Sequence, residues 1–229
     1  LKDNFQLLAY DQRGLGQTQI PDGPYTMKDY ADDAFSLINK LGWKETYVVG
    51  VSFGGMVAQH LAIRHPHQVK KLVLMCTSPG GKNHSYPLHE LEGLDKKSHV
   101  RKFISISDNR ITKEFIKKNP DMYEMIFEQF MQYIDKGNNN KGKLLQLEAR
   151  KYHDTNKDLH KINCPTLIAG GLYDQISPMK NLLALDSLIP TSSVKFFKGG
   201  HSFFMQDGTA WATIIKFLKD DGDRLKEVN

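Results

Sequence analysis

Cysteine is nearly absent from this chain, with only Cys76 and Cys164 among 229 residues. Two thiols with no pair spacing make neither a disulfide scaffold nor a structural zinc site, which excludes the small stapled folds and fits a reducing compartment. Long apolar runs are missing as well. No stretch of about 18 apolar residues occurs, and Leu1 to Asn4 has neither a basic start nor an apolar signal core. The sequence therefore predicts a soluble, cytoplasmic chain that does not enter membranes. Because residue 1 is not Met, a leader or larger N-terminal segment is allowed for. Charge of one sign is lacking too: 31 basic residues are interspersed with 26 acidic ones, for a net charge of +5. Short clusters such as Lys70-Lys71, Lys96-Lys97 and Lys117-Lys118 predict a solvated surface, with no nucleic-acid partner. Low complexity is confined to Asn138-Asn139-Asn140, which reads as a loop.

What is present describes one ordinary globular domain with room for a modest insertion, at 40% hydrophobic and 25% charged residues. The apolar run Phe5 to Tyr10, ended by the glycine-rich stretch Asp11 to Gly16, predicts a buried interior strand and a turn. Thr26 is placed to cap a helix whose apolar positions Met27, Tyr30, Ala31, Ala34, Phe35, Ile38 and Leu41 recur at three- and four-residue steps, with Gly42 as its stop. Thr46 to Gly50 is a β-branched strand, followed by a helix from about Phe53 to Arg64 that must end near His65-Pro66. Val69 to Cys76 supplies another strand. This alternation is that of an α/β fold, a parallel sheet covered on both faces. After Gly81 the pattern turns polar and helical, with pieces at Lys113 to Lys118, Met122 to Asp135 and Leu144 to Tyr152. The sheet rhythm resumes with a strand at Thr166 to Ala169, a helix at about Pro178 to Leu188, a strand at Val194 to Phe197 and a helix at about Thr209 to Lys219.

The strongest local signal is Gly50-Val51-Ser52-Phe53-Gly54. A nucleophile held in a strand-to-helix bend needs small neighbours, which Gly50 and Gly54 supply, and the following helix aims its first amides at charge developing on a substrate oxygen. The Phe53 amide is then one oxyanion donor. A serine hydroxyl is weak until a base takes its proton, and the base needs an orienting carboxylate. Asp174 follows the strand ending near Ala169, and His201 follows the strand ending at Phe197 and two glycines, so both fall in loops at one edge of the sheet. The chain order serine, aspartate, histidine is the order of this fold type. Asp11 and Arg13 flank a tight turn and read as braces. His65 and His67 have no cysteine or acidic cluster beside them, so no metal is expected.

On these residues the chain resembles the α/β-hydrolase family, and within it the branch of 3-oxoadipate enol-lactonases and related carboxylesterases. The similarity runs through Phe5 to Gly16, Gly23 to Thr26, Gly50 to Gln59, Leu72 to Leu74, the strand before Asp174 and Gly199 to His201. It implies a mostly parallel sheet with helices on both faces, a core of residues 1–80 and 162–229, and a helical cap (lid) of residues 81–161. It implies Ser52 as nucleophile, His201 as general base and acid, Asp174 as orienting acid, and the Phe53 amide in the oxyanion hole. In such proteins an upstream His-Gly-type loop gives the second oxyanion amide. The resemblance thus implies an N-terminally incomplete fold whose second donor is not in this chain. Two departures stand out: Thr18 occupies a position where serine is usual, and residues 83–161 lack the tryptophan and arginine pattern of enol-lactonase caps. Met122, Tyr123, Met125, Phe127, Phe130, Met131 and Tyr133 would suit an apolar acyl or ring-bearing substrate, or would pack the cap onto the core. The family also places Cys76 and Cys164 at opposite edges of the sheet, out of pairing range.

The expected activity is that of a serine hydrolase cleaving a small-molecule ester or lactone through an acyl-enzyme, without a cofactor, as a monomer or homodimer. A proline iminopeptidase-like enzyme and a hydrolase of carbon–carbon bonds share the same three residues. A hydrolase-like ligand-binding or receptor module that does not turn over is the alternative from another class.

Overall fold

The computed structural model describes residues 1–136 and 140–220. Asn138 and Asn139, expected in a loop, lie outside the described residues, whereas Asn140 opens a helix. Four strands, β1 (Thr46–Val51), β2 (Val69–Met75), β3 (Thr166–Gly171) and β4 (Ser192–Phe197), form one parallel sheet in that spatial order. Around them lie helices α1 (Met27–Lys40), α2 (Phe53–Arg64), α3 (Lys96–Ser107), α4 (Lys113–Lys118), α5 (Pro120–Lys136), α6 (Asn140–Lys151), α7 (Met179–Leu188), α8 (Phe203–Gln206) and α9 (Ala210–Lys219). Parallel neighbours require crossovers, and α2 and α7 supply two of them. The connection from β2 to β3 carries α3 to α6.

Successive strand residues point to opposite faces, and here both faces are covered. Leu72, Leu74 and Ile168 pack with Ala34 and Ile38 of α1, Ala58 and Leu61 of α2, and Leu182 and Leu185 of α7. Val73, Met75, Leu167 and Ala169 pack with Phe203, Ala210, Ile214 and Leu218 on the other side. Leu72 to Met75 are each 0% exposed, which explains why β2 reads as an unbroken apolar run. Fully burying one such side chain contributes about 1.5–3 kcal/mol. The α1 end signals are realised: the Thr26 hydroxyl accepts from the Asp29 amide at 3.2 Å, the Asp29 carboxylate accepts from the Thr26 amide at 2.7 Å, and Gly42 follows the helix at φ +72°, whereas Leu41, read as part of the apolar face, is the C-cap and 47% exposed.

One expected element is not formed. Phe5 to Tyr10 joins no strand ladder, and Leu7 is 53% exposed. Its long-range contacts among the described residues are made by side chains: the Phe5 ring stands edge-on to Tyr47 at 5.9 Å, and Leu8 packs against the cluster under α1 and α2. Between this segment and β1, the edge strand, lies an apolar cleft of about 820 Å³ whose walls include Val57, Leu61, Trp43 and Trp211. An apolar run specifies burial, but a strand also needs a neighbour to accept and donate its backbone hydrogen bonds, and among the described residues none pairs with this one.

In the helical stretch between β2 and β3, Val100 and Ile104 of α3 bury against Phe127 of α5, while Leu145 and Ala149 of α6 pack against Tyr25, Tyr30 and Met56. Phe127 is thus a packing residue. Met122 and Met125, grouped with it in the sequence, are 49% and 58% exposed and stand on the outer side of α5. Among the described residues, no helix is long and apolar enough to cross a membrane.

Candidate active site

The chain leaves β1 and enters α2 in a single residue, which makes the bend at Ser52 unavoidable. Ser52 has φ 53° and ψ −115°, a left-handed backbone that L-residues adopt rarely, and its amide is tied back to the Met75 carbonyl at 2.8 Å. The strained turn lifts the side chain off the end of the sheet. Gly50 is required sterically: a Cβ there would stand 2.5 Å from the Gly54 carbonyl oxygen and 2.7 Å from the Gly55 Cα. At Gly54, by contrast, a Cβ would meet nothing within 4 Å, because that position faces the open cleft beside β1. The second tight approach falls at Gly55, whose Cβ would lie 2.7 Å from the Thr77 Cβ. Sequence spacing identified two flanking glycines but not that the space behind one of them is open. Phe53, Gly54 and Gly55 open α2, and the first amides of a helix have no intrahelical acceptor, so the Phe53 N–H is a free donor beside Ser52.

Asp174 and His201 arrive from two neighbouring strands. Asp174 lies in the turn after β3 and is 1% exposed; one carboxylate oxygen accepts the amides of Ile176 at 2.7 Å and Ser177 at 3.1 Å. Its other oxygen lies 2.8 Å from His201 Nδ1. His201 follows β4, and its Nε2 lies 3.0 Å from the Ser52 hydroxyl. The carboxylate, as acceptor, places the imidazole proton on Nδ1, which leaves Nε2 with a lone pair toward the serine. The three residues named from the sequence are therefore joined in one hydrogen-bonded line, Ser52 to His201 to Asp174.

What holds the two loops in place was not evident in the sequence. The end of α3, read only as part of a polar stretch, reaches both: the His201 amide donates to the Ser107 carbonyl at 2.6 Å, the Gln175 amide to the Ile106 carbonyl at 2.9 Å, and the Asn109 amide to the Tyr173 carbonyl at 3.0 Å. The Gln206 side chain accepts from the Gly200 amide at 2.7 Å and donates to Asp108 at 3.3 Å. Cys76, just past β2, has φ 48°, and its thiol donates to the His201 carbonyl at 2.9 Å. Burial, and then the charge of Asp174, push that thiol's pKa well above its ordinary value. In the sequence, Cys76 was marked only by its place at the end of an apolar strand.

Other sequence candidates lie elsewhere. Arg13 pairs with both carboxylate oxygens of Asp33 at 2.6 and 2.7 Å, and Asp11 accepts the Gln17 amide at 3.0 Å, so both brace the turn as expected. His65 stacks on Phe35 with ring centroids 3.6 Å apart and lies 3.2 Å from Asp32. Cys76 and Cys164 are both free thiols. Among the described residues, the one group of three metal-ligand side chains with converging atoms is Cys76, Asp174 and His201, within 4.8 Å of one another.

Comparison with known proteins agrees with this architecture. The family model for the alpha/beta hydrolase fold matches residues 1–208. A poly(3-hydroxyalkanoate) depolymerase of Ectopseudomonas oleovorans is 29% identical over 233 residues, covering 98% of this chain and 78% of that protein. A proline iminopeptidase of Lactobacillus delbrueckii subsp. bulgaricus is 27% identical over 239 residues, covering 93% of this chain and 80% of that protein. Among solved structures, the enol-lactonase from Burkholderia xenovorans LB400 superposes with a TM-score of 0.72 at 20% identity, over 91% of this chain and 79% of its own. The parallel sheet, the serine bend leading into α2 and the match along nearly the whole chain have one common account: this chain belongs to the alpha/beta hydrolase family.

Proposed function

We propose that this chain is a serine hydrolase that cleaves a small-molecule ester or lactone through an acyl-enzyme. The observation that carries the proposal is the hydrogen-bonded line from Ser52 through His201 to Asp174 at 3.0 and 2.8 Å, anchored on a strained serine. His201 Nε2 takes the Ser52 proton as the hydroxyl oxygen attacks the acyl carbon. The oxyanion that forms accepts the Phe53 N–H, and an oxyanion-hole donor of this kind is worth about 3–4 kcal/mol. His201 then gives the proton to the departing oxygen, and Asp174 stabilises the imidazolium in between. In the second half, His201 deprotonates water, the resulting hydroxide attacks the acyl-serine, and the proton returns to Ser52. The scheme uses these three side chains, the Phe53 N–H and water. In this scheme residues 1–80 and 162–229 are the catalytic core and residues 81–161 are a cap over it. The enol-lactonase structure supports a lactone or ester substrate, since opening a lactone needs the same attack on an acyl carbon.

The test is labelling by a fluorophosphonate probe together with turnover of 4-nitrophenyl butyrate. Both are expected in the wild type and lost in Ser52→Ala; an unlabelled wild type, or full turnover in Ser52→Ala, refutes the proposal. The proline iminopeptidase relative favours a second reading, in which the same residues cleave an N-terminal proline amide. A preference for proline 4-nitroanilide over the ester would establish it. Ligand-induced thermal stabilisation without any product would instead indicate a binding module.

A further inference from the structure

Cys76 has no part in the ester chemistry, yet it occupies an unusual position in the molecule. Apart from Ser52, it is the only described non-glycine residue with a positive φ, at 48°, so its backbone is held in a conformation that a side chain disfavours. It is 0% exposed, and its sulfur lies with the Asp174 carboxylate and a His201 ring nitrogen in one cluster whose atoms are within 4.8 Å of one another. Thiolate, imidazole and carboxylate form the donor set that suits Zn²⁺ and its neighbours in softness. Bonds of about 2.0–2.3 Å place tetrahedral ligand atoms about 3.3–3.8 Å apart, so His201 Nδ1 and the Asp174 oxygen, now 2.8 Å apart, open by about 0.5 Å around the ion while the Cys76 sulfur closes on them. Asp174 is already oriented for this, since its other oxygen is fixed by the Ile176 and Ser177 amides.

We propose that Cys76, Asp174 and His201 form an inhibitory site for a borderline-soft divalent cation such as Zn²⁺, which enters beneath the catalytic histidine and takes the place of the proton between His201 and Asp174. Protons and charge balance. The thiol releases one proton to solvent, and the His201 proton moves from Nδ1 to Nε2 as the metal takes Nδ1. The +2 of the ion is met by one thiolate and one carboxylate, so the buried site becomes neutral. The consequence for the enzyme follows from the tautomer. With metal on Nδ1, His201 Nε2 carries hydrogen toward Ser52 and has no lone pair to accept the serine proton. The cation thus inactivates the base without touching the nucleophile. Access comes from the His201 side, where the ring is 14% exposed while the Asp174 side chain is at 0%.

The experiment is a Co²⁺ titration of the whole chain followed by absorbance. A thiolate-to-cobalt charge-transfer band that saturates at one equivalent is expected in the wild type and in Cys164→Ala, and its loss in Cys76→Ala. No band in the wild type, or a band that survives Cys76→Ala, overturns the proposal. Should Cys76→Ala fail to fold, Cys76→Ser, with nearly the same volume and no thiolate, serves in its place. In parallel, Zn²⁺ is expected to inhibit ester turnover reversibly, with recovery on adding EDTA. Loss of the Cys76 ligand should raise the inhibiting concentration by at least about 100-fold, given that even outer-shell changes cost 10–100-fold in metal affinity. Equal inhibition of wild type and variant refutes the assignment. The cobalt band does not depend on turnover, so failure of the esterase proposal leaves this test intact, and the reverse also holds.

Discussion

Replacing Asp174 by asparagine isolates the role of the carboxylate from that of its shape. In the native site one oxygen of Asp174 receives two backbone N–H groups, from Ile176 and Ser177, and the other receives the proton of His201 Nδ1. Asparagine is isosteric but has only one acceptor oxygen. The two amides claim that oxygen, because turning the –NH₂ group toward them would set donors against donors in a position that is 1% exposed. The –NH₂ must then face His201 Nδ1, which becomes an acceptor, and the ring proton moves to Nε2. A base that faces Ser52 with a proton cannot take one, and the imidazolium loses its counter-charge. The equivalent change in a well-studied serine protease lowers kcat by about 10⁴, or about 5.5 kcal/mol at 1.36 kcal/mol per decade, and a loss of the same order is expected here. Folding should change much less, since both backbone bonds to the asparagine oxygen persist. The assay is kcat for 4-nitrophenyl butyrate, with the urea midpoint measured on the same samples. An Asp174→Asn enzyme that folds and retains kcat within about tenfold of the wild type would refute the orienting role of Asp174 and the proton path built on it.

Two further outcomes are expected. Gly50→Ala forces a methyl group against the backbone of α2 and should destabilise by about 2–3 kcal/mol, whereas Gly54→Ala meets no atom and should stabilise by up to about 0.5–1 kcal/mol; urea midpoints read both. The second concerns half-buried His60 and buried His153, 3.3 Å apart, whose pKa values are lowered mainly by burial to about 4 and about 3. His153 Nε2 donates to the Ser78 carbonyl at 3.1 Å, so its Nδ1 accepts from His60 and both rings are neutral in the fold. Unfolded histidines protonate near pH 6.5, so the unfolded chain binds more protons below that pH. Stability should accordingly fall as pH drops from about 6.5 toward 4, with His153 alone accounting for about 2 kcal/mol between pH 6.5 and 5. His153→Gln should start less stable and show a flatter profile over this window, and an unchanged slope would contradict the neutral-pair assignment.

Much of the fold was legible because its signals are local. Thr26 caps α1 through a contact three residues away, Gly42 ends it, and His65-Pro66 ends α2; none of these needs a distant partner. The apolar run of β2 announced a strand buried on both faces, and the places of Asp174 and His201 just after two strands announced loops at one edge of the sheet. Where a feature depends on a distant neighbour, local pattern misleads. Phe5 to Tyr10 carries the apolar pattern of a strand and forms none, since no ladder partner stands beside it among the described residues. Gly54 has the spacing of a required glycine, yet open space lies behind it, and the constraint sits at Gly55.

By itself, then, the sequence determined most of the helices and strands, where they stop, and which serine, aspartate and histidine to look for together, because propensity, capping and periodicity act over a few residues. Only the tertiary structure decided that Ser107 and Ile106 at the end of α3 grip the loops of His201 and Asp174, and that the thiol of Cys76 lies beneath them both. These contacts join residues about 70 to 125 positions apart in the chain, and such long closures are specified by the packing of the whole domain rather than by any local pattern.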